Sequence, residues 1–150
     1  MTASAAFWPY GTTLKLGDDG STETFKAIVE VKDITPPQMS KDSIEITSQD
    51  SDNGFREFIP GWKDAGEVSF EGNWIPEDAT QDGSTGLLAS FNDDANHNWQ
   101  IILPAGGGGG KLEFTGHVTN WEPDLPMEDA ATLSITIKLT GALTYTEGTA

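Results

Sequence analysis

The sequence predicts a mainly β domain, a β-sandwich or open barrel flanked by one short α-helix. Three observations carry that prediction. Several segments alternate strictly between apolar and polar residues, the period of a strand with one face buried. Most of them are rich in β-branched and aromatic side chains, which suit a pleated, half-buried surface. One stretch only spaces its apolar residues as a helix does. Wet and dry faces in alternation are the mark of antiparallel sheets.

The elements follow in order. Residues 1–11 form an apolar arm that includes Phe7, Trp8, Pro9 and Tyr10. Asp18-Asp19-Gly20-Ser21 reads as the turn between the first two strands. Phe25, Ala27, Val29 and Val31 then share one face, opposite Lys26, Ile28 and Glu30. A long connection, about 32–66, holds a single strand-like run, Ser43 to Thr47. Asp50-Ser51-Asp52-Asn53-Gly54 is a polar turn with Asn53-Gly54 supplying positive φ. Phe55, Phe58, Ile59 and Trp62 surround Pro60-Gly61, a dipeptide that breaks regular structure. From Glu67 to Trp74 the pattern is strict: Val68, Phe70, Gly72 and Trp74 against Glu67, Ser69, Glu71 and Asn73.

The helix is predicted over Ser84–Phe91, with Ser84 as cap and Leu87, Leu88 and Phe91 placed to dock on a sheet. Asp93-Asp94 follow where a helix dipole disfavours carboxylates, so the chain turns there. Trp99, Ile101 and Leu103 form the next apolar face, and Gly106 to Gly110 make a flexible hairpin tip. Leu112, Phe114, Gly116 and Val118 oppose Glu113, Thr115, His117 and Thr119; Leu133, Ile135, Ile137 and Leu139 oppose Ser134, Thr136, Lys138 and Thr140. Trp74 and Trp99 lie on apolar faces and are read as core, whereas Trp8, Trp62 and Trp121 are read as surface anchors in loops.

Composition bounds the function. A chain of 150 residues reads as one domain, 1–150, able to bury about 70% of its unfolded surface without staples. Without cysteine there is no disulfide framework, and nothing demands an oxidising compartment. The first basic residue is Lys15 and no apolar run approaches membrane-spanning length, so neither a secretory signal nor an anchor is expected. Twenty-four acids against eight bases give a net charge of −16 and a pI near 4.1. Such a chain repels nucleic acid and anionic lipid. Solubility alone, or a salt-loving host, accounts for the same charge.

No catalytic constellation assembles. His97 and His117 lack zincin spacing, and neither a thiol nor a Gly-x-Ser-x-Gly elbow is present. Gly110-Lys111 fails as a phosphate loop, because position 105 is alanine and Leu112 replaces the magnesium-binding hydroxyl. The Asp50–Gly54 run fails as a calcium loop, with its glycine one place early and Gly61 where the bidentate Glu belongs. No enzyme activity, cofactor or metal is expected.

An apolar loop such as Phe55–Trp62 either folds back on its own domain or enters a neighbour. Gly61-Trp62-Lys63-Asp64-Ala65-Gly66, followed by Val68 to Asn73, resembles the major tail tube protein of long-tailed, non-contractile bacteriophages. Members of that family carry a G-x-K/R-D-x-G turn and then a strand reading like V-S-F-E-G-N. The likeness covers most of the chain: Gly11 to Leu14, Ile34-Thr35-Pro36-Pro37, Ser43 to Thr47, and Ile135 to Gly141. Its strength lies in the order and spacing of these motifs.

The resemblance implies a β-sandwich related to the type VI secretion tube protein, with six copies closed into a ring around a continuous inner β-barrel. It implies that rings stack, that the long connection reaches the next ring, and that the tube conducts DNA passively. The contact residues it implies between subunits or rings are Phe7, Trp8, Phe55, Arg56, Phe58, Ile59, Pro60, Trp62, Lys63 and Asp64. Glu67, Glu71 and Glu113 are candidates for the lumen, although a wet face equally lines the outside. Asp124, Glu128 and Asp129, near the last hairpin, serve either contacts or surface.

The implied partners are the chain itself, a tape measure protein, and tail terminator and distal tail proteins. DNA is met only in transit, and no membrane is a partner. The implied location is the virion tail, assembled in the host cytoplasm. No further immunoglobulin-like module is expected after the Leu139 to Tyr145 strand. The alternative reading is a monomeric carbohydrate-binding β-sandwich using exposed tryptophans.

Overall fold

The computed structural model describes residues 3–18 and 21–148. Residues 1 and 2 of the arm, Asp19 and Gly20 of the predicted first turn, and the final two positions lie outside the described residues. Among the described residues the strands are β1 (Thr13–Gly17), β2 (Phe25–Ala27), β3 (Val31–Thr35), β4 (Ser40–Glu45), β5 (Phe58–Asp64), β6 (Glu67–Asn73), β7 (His97–Ile102), β8 (Lys111–Asp124) and β9 (Thr132–Thr146), with one α-helix, α1 (Leu87–Asn92). Seven strands form one antiparallel sheet in the order β2-β1-β7-β8-β9-β6-β3, and β4 pairs with β5 in a separate hairpin.

The long strands β8 and β9 run through both halves of the sheet, and their pairing slips twice. From Glu113↔Thr144 to Thr115↔Thr140, β9 advances four residues while β8 advances two. Gly141 takes φ 77° inside that bulge, a conformation glycine adopts without Cβ strain. A second slip follows between Val118 and Asn120. Bulges bend and twist a sheet locally. The apolar face of β1 and β7 thereby meets that of β6 and β9, and Leu14, Trp99, Ile101, Val68, Ile135 and Ile137 share one buried cluster. One folded sheet thus supplies the two layers expected of a sandwich. Trp99 is wholly buried, and its indole N–H is satisfied by the carbonyl of Gly116 at 3.2 Å.

The strict alternations of β6, β7, β8 and β9 are the dry faces of this core. The predicted strand over Phe25–Val31 is instead two strands. Val29 and Glu30 form a turn, with Glu30 at φ 52°, and the alternation restarts beyond it. Ile28, assigned by the pattern to the wet face, is therefore buried, and its N–H bonds the Leu14 carbonyl at 2.9 Å. This turn passes close over β6: a Cβ at Gly72 would lie 2.6 Å from the Glu30 carbonyl oxygen. Gly72 is thus a site of close approach, where any side chain would push the turn away.

The helix begins later than predicted. Gly86 precedes it and Ser84 makes no cap; the Asp82 carboxylate instead accepts the N–H groups of Ser84, Thr85 and Gly86 at 2.9–3.1 Å. The shorter helix buries Leu87 and Ser90 and leaves Phe91 exposed, contrary to the docking face expected. Trp121 is not a loop anchor. It lies in β8, half-buried, edge-to-face with Trp74 at 5.8 Å. Trp74 is likewise half-buried, one residue past the end of β6.

Candidate self-assembly surface

The long connection between β3 and β6 is an extended hairpin. Pro60-Gly61 lies within β5, where a breaker was expected. Proline is tolerated there because β5 pairs on one side only and the register slips between Lys41 and Ser43, which faces Pro60. The far turn is tied by polar side chains: Ser51 Oγ donates to Glu57 at 2.8 Å, and Thr47 Oγ1 accepts the Glu57 N–H at 2.9 Å. Asn53 at φ 52° and Gly54 at φ 72° supply the positive angles read from the sequence.

The root is fixed to the sheet. Asp64 accepts the Gly66 N–H at 2.8 Å and the Lys138 ammonium at 3.3 Å. The first of these, aided by the second, holds the Asp64 carboxyl below its ordinary range. The Gly66 carbonyl accepts the Leu139 N–H at 3.1 Å. Gly66 itself takes φ 83°, and a Cβ there would lie 2.7 Å from the Gln38 carbonyl oxygen, so the tight return requires glycine.

Almost nothing on this hairpin is covered by its own domain. Every residue of β4 is exposed, and β5 is exposed save for partly covered Gly61. Ile44 and Ile59 face one another across the pair and both remain solvated, while Phe55, Phe58 and Trp62 are more open still, Trp62 at 85%. The apolar loop therefore does not fold back as a satellite core. An isolated two-stranded hairpin is at best marginally stable in water, and its apolar residues form a patch of the kind that marks a binding surface. Arg56, Pro60, Lys63 and Asp64 are exposed on the same element.

The amino-terminal arm lies elsewhere. Phe7 rests on the turn at Ala105–Gly107, where a Cβ on Gly107 would approach its ring at 2.8 Å, and the Pro9 carbonyl accepts the Thr12 N–H at 3.1 Å. Trp8 and Tyr10 stack at 4.9 Å, both more than three-quarters exposed. The arm is thus anchored by Phe7 and presents an open aromatic pair.

The lumen candidates fall in two places. Glu67 and Glu71 are exposed on β6, opposite Lys138 and Ser134 in the first half of β9. Glu113 lies on the other half of the sheet, between Gln100 and Thr144 and paired with Lys111 at 3.1 Å. His117, on the same wet side as Glu113, bonds Asn96 at 3.0 Å, and His97 is buried beside Asp93 at 3.5 Å. Sequence reasoning missed Gln81, a buried amide at the base of the irregular segment between β6 and α1.

A family model described as lambda phage tail tube protein matches residues 8–146. No curated protein sequence matches the chain. Among solved structures, a chain from the virion of a native gene transfer agent particle is 20% identical, with TM-score 0.73, covering 94% of this chain and 99% of that one. The tail of an empty gene transfer agent particle, of C6 symmetry, is 21% identical, with TM-score 0.70 and the same two coverages. The SPP1 tail tube is 11% identical, with TM-score 0.65, covering 91% of this chain and 76% of that one. At these identities the structural likeness is one of fold.

Proposed function

The chain belongs to the lambda phage tail tube protein family, and from that membership we propose that six copies close into a ring and that rings stack through the β4–β5 hairpin. It is a structural protein of a phage-type tail tube. The observation that carries the proposal is the exposed hairpin, whose apolar residues are solvated in the single copy and gain cover only from another molecule. Phe55, Phe58, Ile59, Pro60 and Trp62 form its apolar contacts, Arg56, Lys63 and Asp64 its charged ones, and Phe7 and Trp8 join from the amino-terminal arm.

The sixfold symmetry of the gene transfer agent tail supports a ring of six. Ring closure would also cover the free edges of the seven-stranded sheet, β2 and β3, which otherwise invite unwanted pairing. Stacking by unlike surfaces extends without closing, as a filament must. The resulting conduit makes and breaks no bond and holds no cofactor. A charge of −16 on each copy favours a wall to which passing DNA does not adhere. Glu67, Glu71 and Glu113 are the proposed lumen acids. The tape measure protein and the terminator and distal tail proteins are the proposed partners, and assembly takes place in the host cytoplasm before incorporation into the virion tail.

Negative-stain electron microscopy of concentrated protein tests this reading. Hollow rods of uniform width are the expected result. A monomer at every concentration, retained on polysaccharide columns, would overturn it in favour of a carbohydrate-binding module.

A further inference from the structure

The register of the sheet fixes where its two most unusual surfaces lie. Glu67 pairs with Lys138 at one end of β6, and Asn73 pairs with Thr132 at the other. Asp124 also pairs with Thr132, so the β8–β9 connection, residues 125–131, lies at the Asn73 end. β3 ends at Thr35, beside Ser69, so the β4–β5 hairpin leaves from the Glu67 end. These two features therefore sit at opposite ends of one half-sheet, about 20 Å apart along β6.

Their surfaces are complementary. The β8–β9 tip exposes Leu125 and Met127, the latter completely, among the acids Asp124, Glu128 and Asp129. At the hairpin root, an open groove of about 930 Å³ runs between the hairpin and the bulge of β9, lined by Met39, Lys41, Trp62, Lys63, Leu139 and Leu143 among others; its acid, Asp64, is already paired with Lys138 at 3.3 Å. Lys41 and Lys63 are direct cross-strand partners. Like charges placed so are mutually destabilising until an anion joins them. They are two of only eight basic residues in a chain with twenty-four acids.

We propose that the β8–β9 tip of one copy docks into the groove at the β4–β5 root of a second copy of this chain. Asp124, Glu128 and Asp129 meet Lys41 and Lys63, while Leu125 and Met127 cover Met39 and Trp62. Because tip and root lie at opposite ends, each copy offers one to either neighbour, and the contact propagates head to tail without closing. The inference rests on the stacking reading and deepens it, assigning the pair of surfaces that meet between rings.

The chain has no cysteine, so a designed pair gives a clean test. Both Met39 and Met127 are exposed, and the register that sets them at opposite ends of the half-sheet rules out an internal disulfide. The Met39→Cys, Met127→Cys double variant, oxidised under conditions in which wild-type rods form, is expected to yield a ladder of cross-linked multimers in denaturing gels. Each single variant yields dimers at most. Wild-type rods with no ladder would overturn the docking and leave the stacking reading intact; neither rods nor ladder would overturn both.

Charge exchange supplies an independent readout. The Lys41→Glu, Lys63→Glu variant and the Asp124→Lys, Glu128→Lys variant each raise the concentration needed for rods at least about tenfold, the change expected when an attractive pair becomes repulsive. Combining all four substitutions in one chain restores assembly. Rods from either one-sided variant at wild-type concentration would contradict the docking.

Discussion

Gln81 joins three stretches of chain through one buried amide. Its Nε2 donates to the carbonyls of Val29 at 3.1 Å and Asn73 at 3.0 Å, and its Oε1 accepts the Ile75 N–H at 2.8 Å. Replacing it with leucine keeps the bulk and leaves those backbone groups unpaired in the interior. We expect Gln81→Leu to lower the stability measured by urea unfolding by about 3 kcal/mol; a loss under about 0.5 kcal/mol would mean that water reaches these groups freely. Asp64, Asp78 and Asp82 provide a second residue-scale expectation. Hydrogen bonds from the Gly66 N–H, from the Thr80 hydroxyl and backbone N–H, and from the Thr85 N–H respectively hold each carboxyl below its ordinary 3.8. A depressed folded-state value means that their contribution is complete above pH 3.8 and is lost as pH falls through the lowered values. The unfolding midpoint should therefore fall with acidification below about pH 4, and Asp82→Asn should flatten part of that fall. Little at this scale was legible in the sequence. Gln81 and Asp82 stand in a run of turn residues, where nothing distinguishes a buried amide or a multiply bonded carboxylate from a solvated one.

Single elements were legible to the degree that one face is dry. β6 and β9 alternate without a break because Val68, Phe70, Ile135 and Ile137 all enter the core, and hydrophobic period is the signal that burial imposes. β5 escaped notice because both faces of its hairpin are wet, which leaves no period to see, and because Pro60-Gly61 reads as a breaker unless the strand is known to be an edge. The stretch from Phe25 to Val31 misled for the opposite reason: its alternation continues in sequence across a turn that resets it in space. The exposure of the β4–β5 hairpin leads to a sharp expectation. Trp62→Ala removes a side chain that its own domain scarcely touches, so stability should change by no more than about 0.5 kcal/mol. The same substitution should suppress rods in electron micrographs, since exposed aromatics are the usual anchors of an interface. Unfolding seen by circular dichroism would instead assign Trp62 to the core.

At the scale of the molecule, the chain is a curled sheet with a self-contained core and one element that the core does not use. Core and element obey different requirements. Ile137 is wholly buried, and Ile137→Ala should cost about 2–5 kcal/mol whether or not the protein assembles. The net charge of −16 belongs to the whole surface, and assembled tubes should fail to retain DNA on a filter at about 0.1 M salt, where opposite charge would bind it. Everything at this scale turns on whether sister copies cover the β4–β5 hairpin. Amide hydrogen exchange followed over residues 40–64 in dilute monomer and in purified rods addresses it directly. Rapid exchange of this segment in the monomer and strong protection in the rods is the expected result; equal exchange in both states would contradict it.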